Sequence, residues 1–136
     1  MTDATIRAVY SEWASYNAQL REVVAGLTAE QLALVTPGDQ WPMWATIGHL
    51  ACQRVFWLCD FAGEPGAETT RFTNAGSDCP GDDDLERVLS ADELVEAIDA
   101  TFRIVDGVLD RWTVASLGEV LRRPECALSI AAPSAA

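Results

Sequence analysis

The sequence contains no lysine, a single histidine and no pair of cysteines in a Cys-x-x-Cys arrangement. Without such pairs, a zinc ribbon and a thioredoxin-like redox centre are excluded. Acidic residues outnumber basic ones 21 to 9, and the formal net charge of -12 argues against binding nucleic acid or an anionic membrane surface. Long apolar runs and the features of a signal peptide are also missing, so we expect a cytoplasmic protein with no membrane partner.

Four cysteines are present, at positions 52, 59, 79 and 126. Cys52 and Cys59 lie seven residues apart in a segment predicted to be helical, which separates them by about 10 Å along the helix axis. That distance is too long for a disulfide. Because cysteine is often an ordinary core residue, we predict that the cysteines are buried free thiols.

Three segments of the 136-residue chain carry the apolar period of an amphipathic helix. The first, residues 3–25, has Asn17 as the one polar member of an apolar stripe. The second, residues 43–62, is apolar on more than one side, which predicts burial. The third, about 90–112, opens with the capping box Ser90-Ala91-Asp92-Glu93. No segment alternates as a strand does, so the sequence predicts an all-α helical bundle.

The two remaining stretches of the chain have weaker signals. Residues 63–89 are irregular and rich in glycine and acidic residues, which is typical of a loop that is functional or mobile. Residues 126–136 consist mainly of small residues and lack an amphipathic pattern. We therefore predict three strong helices and a weak or missing fourth.

The most specific motif lies at the start of the second helix. A tryptophan-rich entry, Trp41-Pro42-Met43-Trp44, leads into Thr46-Ile47-Gly48-His49-Leu50-Ala51. With the order of the helices around it, this stretch resembles the DinB/YfiT-like superfamily over roughly residues 3–125. The resemblance implies an antiparallel four-helix bundle in residues 1–125, followed by a separate tail, 126–136. The change in composition near Cys126 predicts a truncated or altered C-terminus.

The resemblance also implies a metal site held by three histidines, one on the second helix and two on a later one. His49 matches the first of these, and the later pair is absent because the chain has no other histidine. We therefore expect the ligand set for a divalent metal (zinc, nickel or iron) to be incomplete in this chain. Cys52, one turn after His49, is the nearest candidate to complete it, with help from a loop residue. The alternative is that His49 is a lone hydrogen-bonded histidine left from a former site.

Four further residues are predicted to form a pocket beside His49. Thr46 and Gln53 share the polar side of the helix with His49, while Trp44 lies at the helix entry and Trp57 flanks the polar side. The spacing of the tryptophans favours an ordinary place in the bundle core over a pocket role.

Two functions from different classes follow from these patterns. Characterised relatives in the resembled family are metal-dependent transferases or hydrolases that use low-molecular-weight thiols, which implies a similar ligand here. With an incomplete metal-ligand set, this chain is expected to have little activity alone. The alternative is a noncatalytic interaction protein that forms a homodimer through the apolar seam left by a missing fourth helix.

Overall fold

The computed structural model describes residues 4–35, 37–38, 40–73, 79, 85–122 and 127–129. Its helices are α1 (Trp13–Ala25), the single turn α2 (Ala29–Leu32), α3 (Met43–Val55) and α4 (Ala91–Arg111). Short 3₁₀ turns occupy Ile6–Ala8, Ala67–Thr69 and Ser116–Gly118, and two strands, β1 (Val120–Arg122) and β2 (Ala127–Ser129), pair antiparallel. In the described part of the chain, no helix is both long and apolar enough to cross a membrane.

Helix α4 is the central element, because both α1 and α3 pack against it. Among the described elements, α1 and α3 touch each other only marginally, so an open groove separates them. The largest fully buried side chains include Leu94, Ile98 and Leu109 of α4, Val55 of α3 and Val24 of α1. The predicted all-α bundle with three long helices is confirmed.

Helix α3 forms where the apolar pattern predicted it. It starts directly after Pro42, whose ring suits the beginning of a helix. Beyond Val55 the helix continues as one π-helical segment, Phe56–Phe61, so the helical stretch covers nearly all of the predicted 43–62. The chain then returns to α4 at Gly66, whose φ of 118° favours glycine and whose Cβ, if present, would lie 3.0 Å from Ile104.

Helix α4 is started by the predicted capping box. The Ser90 hydroxyl accepts a hydrogen bond from the Glu93 backbone N–H at 3.2 Å, and the Glu93 carboxylate accepts one from the Ser90 N–H at 3.3 Å. Two orphan backbone donors of the first turn are satisfied in this way. The arrangement fixes the beginning of the longest helix in the described chain.

The prediction of one continuous helix over residues 3–25 was wrong at its start. Residues 6–8 form a 3₁₀ turn, and the α-helix begins only at Trp13. The backbone N–H of Ile6 donates to the carbonyl of Trp112 at 2.9 Å, and the Ile6 side chain is buried against the end of α4. This tertiary contact overrides the local helical period.

Beside the helices, the described chain contains two three-residue strands that the sequence did not reveal. β1 and β2 pair in register from Val120 with Ser129 to Arg122 with Ala127. Each strand is only three residues long, which is too short for alternation to be recognised in a sequence. Cys126, where an altered C-terminus was predicted, lies outside the described residues.

Candidate functional site

His49 lies half-buried on the first half of α3 and packs against a tryptophan from the preceding turn. The ring centroids of Trp41 and His49 are 5.0 Å apart, and the rings meet edge to face at 70°. Trp41 itself joins the core cluster around Trp44 and Val24. The tryptophan-rich entry therefore places Trp41 against the ring of His49.

One turn after His49, the sulfur of Cys52 is bonded to that of Cys79. The two Cα atoms are 5.5 Å apart, within the usual range for a disulfide. The prediction of buried free thiols is therefore wrong for these two residues, whereas Cys59 has a free thiol but is only partly buried. Sequence spacing excluded a Cys52–Cys59 bond but carried no information about a partner that folds back from the irregular loop.

The disulfide also corrects the prediction of Cys52 as a metal ligand. A metal binds the thiolate form of cysteine, and a sulfur in a disulfide carries no such charge. Cys52 is completely buried as well, so it has no exposed face for a metal. In this oxidised form, His49 receives no sulfur ligand from its own helix.

Gln53 connects the disulfide to the outer side of α3. Its amide nitrogen lies 3.9 Å from the sulfur of Cys79, and its amide oxygen accepts a 2.9 Å hydrogen bond from the indole N–H of Trp57. Trp57 is 45% exposed. Gln53 and Trp57, both predicted pocket residues, are thus brought together.

The other two predicted pocket residues lie elsewhere. Trp44 is buried in the core cluster with Val24 and Ile98, and Thr46 is exposed near the start of α3. Neither of them lines the groove that Gln53 and Trp57 share. The four residues therefore do not form one pocket.

The residues present do not fit the three-histidine site that the resemblance implied. Within the described residues, no group of three or more histidine, cysteine or acidic side chains is arranged to hold a metal ion. The chain has only one histidine in total. Since a stable divalent site needs three or four ligands in fixed geometry, no chemical step is assigned to a metal here.

An apolar groove lies between α1 and α3 near these residues and has a volume of about 420 Å³. Its lining side chains come from α1, from α3 and its π-helical extension, and from α4: Trp13, Tyr16, Asn17, Leu20, Leu50, Gln53, Arg54, Trp57, Leu58 and Val105. Tyr16, Leu50 and Trp57 are the exposed members and form its rims. The volume falls within the range of small-molecule sites.

Two polar groups of the groove escaped the sequence-based site prediction. Arg54 is half-buried and donates to the carbonyl of Ile98 at 3.2 Å and to the hydroxyl of Thr101 at 3.3 Å. Burial lowers the pKa of the Arg54 guanidinium, because desolvation penalises its charged form. Asn17 is only 8% exposed, and its side-chain oxygen has no hydrogen-bond partner in the described structure.

A signal for both residues was present in the sequence. Asn17 interrupts an otherwise apolar stripe, and Arg54 is the one basic residue in the apolar second helix. Each is a polar group at a position that the helical period assigns to a packed surface. The pattern identified these positions as unusual, but only the fold shows that they line the same groove.

Comparison with known proteins identifies the class of this helical domain. The family model of the DinB superfamily matches residues 14–132, so the chain belongs to the DinB superfamily. The match runs from the second residue of α1 past the short strands, and it includes His49, the disulfide and every groove residue except Trp13. No curated protein and no solved structure shows significant similarity to this chain.

Proposed function

We propose that this chain is a DinB-superfamily domain related to metal-dependent, thiol-using transferases and hydrolases, and that it has little metal-dependent activity on its own. One observation carries the proposal: His49 is the only histidine, and its nearest sulfur neighbour, Cys52, is bonded to Cys79. A single imidazole does not hold a divalent ion tightly, because affinity depends on the number of ligands.

The redox state of the two cysteines belongs to the proposal. Disulfides persist in oxidising compartments and are rare in a reducing cytoplasm. After reduction, Cys52 and Cys79 become thiols near His49, and these are the groups that zinc prefers. Metal binding must therefore be measured in both the oxidised and the reduced protein.

The test is the metal content per chain, measured by elemental analysis after incubation with zinc, nickel or iron(II) and desalting. We expect far less than one equivalent in the oxidised protein and the same low value in a His49→Ala variant. Near-stoichiometric metal that is lost in His49→Ala would overturn the proposal, because the site would then be complete. A Thr46→Ala variant, altered at an exposed position on the same helix, is the matched control.

The noncatalytic homodimer expected from the sequence stays a prediction. The exposed apolar rims of the α1/α3 groove, formed by Tyr16, Leu50 and Trp57, are the surface on which it would form. Sedimentation velocity over a wide range of protein concentration measures it directly. A Leu50→Glu variant would weaken a dimer built on these rims, whereas Val88→Glu, at an exposed apolar residue outside the groove, would not.

A further inference from the structure

Arg54 differs from other arginines of the described chain in its partners. Arg7, Arg21, Arg71 and Arg111 all form ion pairs with acidic side chains. Arg54 contacts only the Ile98 carbonyl, the Thr101 hydroxyl and the face of the Phe102 ring, and no carboxylate within the described residues reaches it. A half-buried cation without an anionic partner favours binding of an anion from outside.

Asn17 supplies an independent observation on the opposite wall of the same groove. Its side chain is more than nine-tenths buried, and its Oδ1 atom receives no hydrogen bond from the described protein. Buried polar atoms are almost always satisfied, so an exception in the wall of an open cavity points to a missing donor. A ligand that carries an N–H or O–H group would provide it.

We propose that the α1/α3 groove binds an organic carboxylate with an aromatic or apolar body and a hydrogen-bond donor beside the acid group. The carboxylate pairs with Arg54, the donor satisfies Asn17, and the apolar body packs between Trp13, Leu20 and Leu58. Guanidinium and carboxylate are complementary in both charge and geometry. This inference goes beyond the proposed function and does not depend on His49 or on a metal.

The size and placement of the groove favour a small ligand over a second copy of the chain. A cavity of about 420 Å³ is of ligand size. A second copy seated on the exposed rims would leave the half-buried Arg54 and the buried Asn17 without their missing partners. The chain also carries a net charge of -12, and repulsion scales with the product of the two charges. A singly charged ligand is therefore repelled far less than another copy.

Calorimetric titration of the full chain with N-benzoylglycine tests the proposal, since this probe combines an aromatic ring, an amide N–H and a carboxylate. Its methyl ester lacks the charge, and its N-methyl derivative lacks the donor. We expect the acid to bind at least about tenfold more tightly than the ester, and more tightly than the N-methyl compound. This comparison uses the unaltered protein and does not depend on the folding of a variant.

Variants then assign the two contributions to residues. Arg54→Gln should remove the preference for the acid over the ester, and Arg54→Lys should restore part of it. Asn17→Leu should remove the preference for the N–H over the N-methyl compound. Arg103→Gln removes an exposed arginine from α4 outside the groove and should leave both preferences unchanged.

Four outcomes would overturn the inference. The first is equal affinity of the acid and the ester, and the second is no binding of any of the three compounds. The third is a dimer whose dissociation constant rises in Arg54→Gln and which excludes the probe, because the groove would then receive a second copy. A preference for the acid that survives in Arg54→Gln would place the carboxylate elsewhere and would count against the site as well.

Discussion

Cys52, completely buried in the middle of α3, is bonded to Cys79, which lies 27 residues further along the chain. The bond ties Cys79 to the helix that carries His49 and Arg54. It sits beside the core cluster of Ala51, Val55 and Phe72. The region of the candidate site is therefore held by a covalent link as well as by packing.

Reduction of this bond should destabilise the protein. Closing a loop of this length limits the entropy of the unfolded chain, so we expect a loss of about 3 kcal/mol in the free energy of unfolding. Urea denaturation with and without dithiothreitol measures the change. Cys79→Ser should show the same loss and no further response to the reductant. In Cys59→Ser, which removes a free thiol, the response should persist.

Glu64 is predicted to stabilise the end of α4. Its carboxylate accepts a 2.5 Å hydrogen bond from the indole N–H of Trp112 and pairs with Arg111. Glu64→Ala leaves the half-buried indole without an acceptor and should cost about 1–3 kcal/mol in thermal or urea unfolding. Glu64→Gln keeps an acceptor and should cost less. Equal losses in the two variants would show that the acceptor is unimportant, and Glu68→Ala is the exposed control.

Glu93 should make the stability of the domain sensitive to acid. Its pKa is lowered because the carboxylate accepts hydrogen bonds from the Ser90 backbone N–H and from Arg71. A pKa below the unfolded value means that this contribution is present at neutral pH and is lost as pH falls through the folded pKa.

A Glu93→Gln variant should consequently be less stable than the wild type at pH 7, and the difference should shrink as the pH falls through the folded pKa of Glu93. Urea unfolding across this range gives the difference at each pH. Glu96→Gln, on the next turn and without these partners, should not reproduce the pattern. A difference independent of pH would mean that loss of the charge is not its cause.

Cys59 should react slowly with alkylating agents near neutral pH. Burial raises the pKa of its thiol, and the neighbouring charge of Asp60 raises it further. Because the thiolate is the reactive form, the rate of carboxymethylation should reach half its maximum above the ordinary range for cysteine. Asp60→Asn should move this midpoint to lower pH. The experiment is best done in Cys126→Ser, so that residue 126 does not contribute, and a midpoint at or below the ordinary range would contradict it.

The helices could be predicted from the sequence where local and tertiary preferences agree. The capping box at Ser90 and the regular apolar stripe of α4 specify the same helix as the fold does. In the residues before α1, local and tertiary preferences disagree. The backbone N–H of Ile6 donates to the carbonyl of Trp112 and not to a helical neighbour. The short strands at the other end have too few residues to carry a period.

The candidate site was less predictable, because it depends on residues brought together across long stretches of chain. The position of His49 beside Trp41 could be inferred from the motif, since both lie in one local segment. The bond between Cys52 and Cys79 could not, because nothing periodic relates a helix to an irregular loop. The same holds for Asn17 and Arg54, which are 37 positions apart in the numbering and line one groove because α1 and α3 both pack against α4.

The sharing of α4 by two helices has a kinetic consequence. Helix α1 buries only Asn17 and Val24, whereas α3 buries six of its residues and α4 nine. Its backbone amides should therefore exchange with deuterium through a sub-global opening that leaves α3 and α4 protected. Helix α1 is then the side of the groove that opens most readily. A molecule bound in the groove should reduce the rate of amide exchange in α1 more than in α3 or α4.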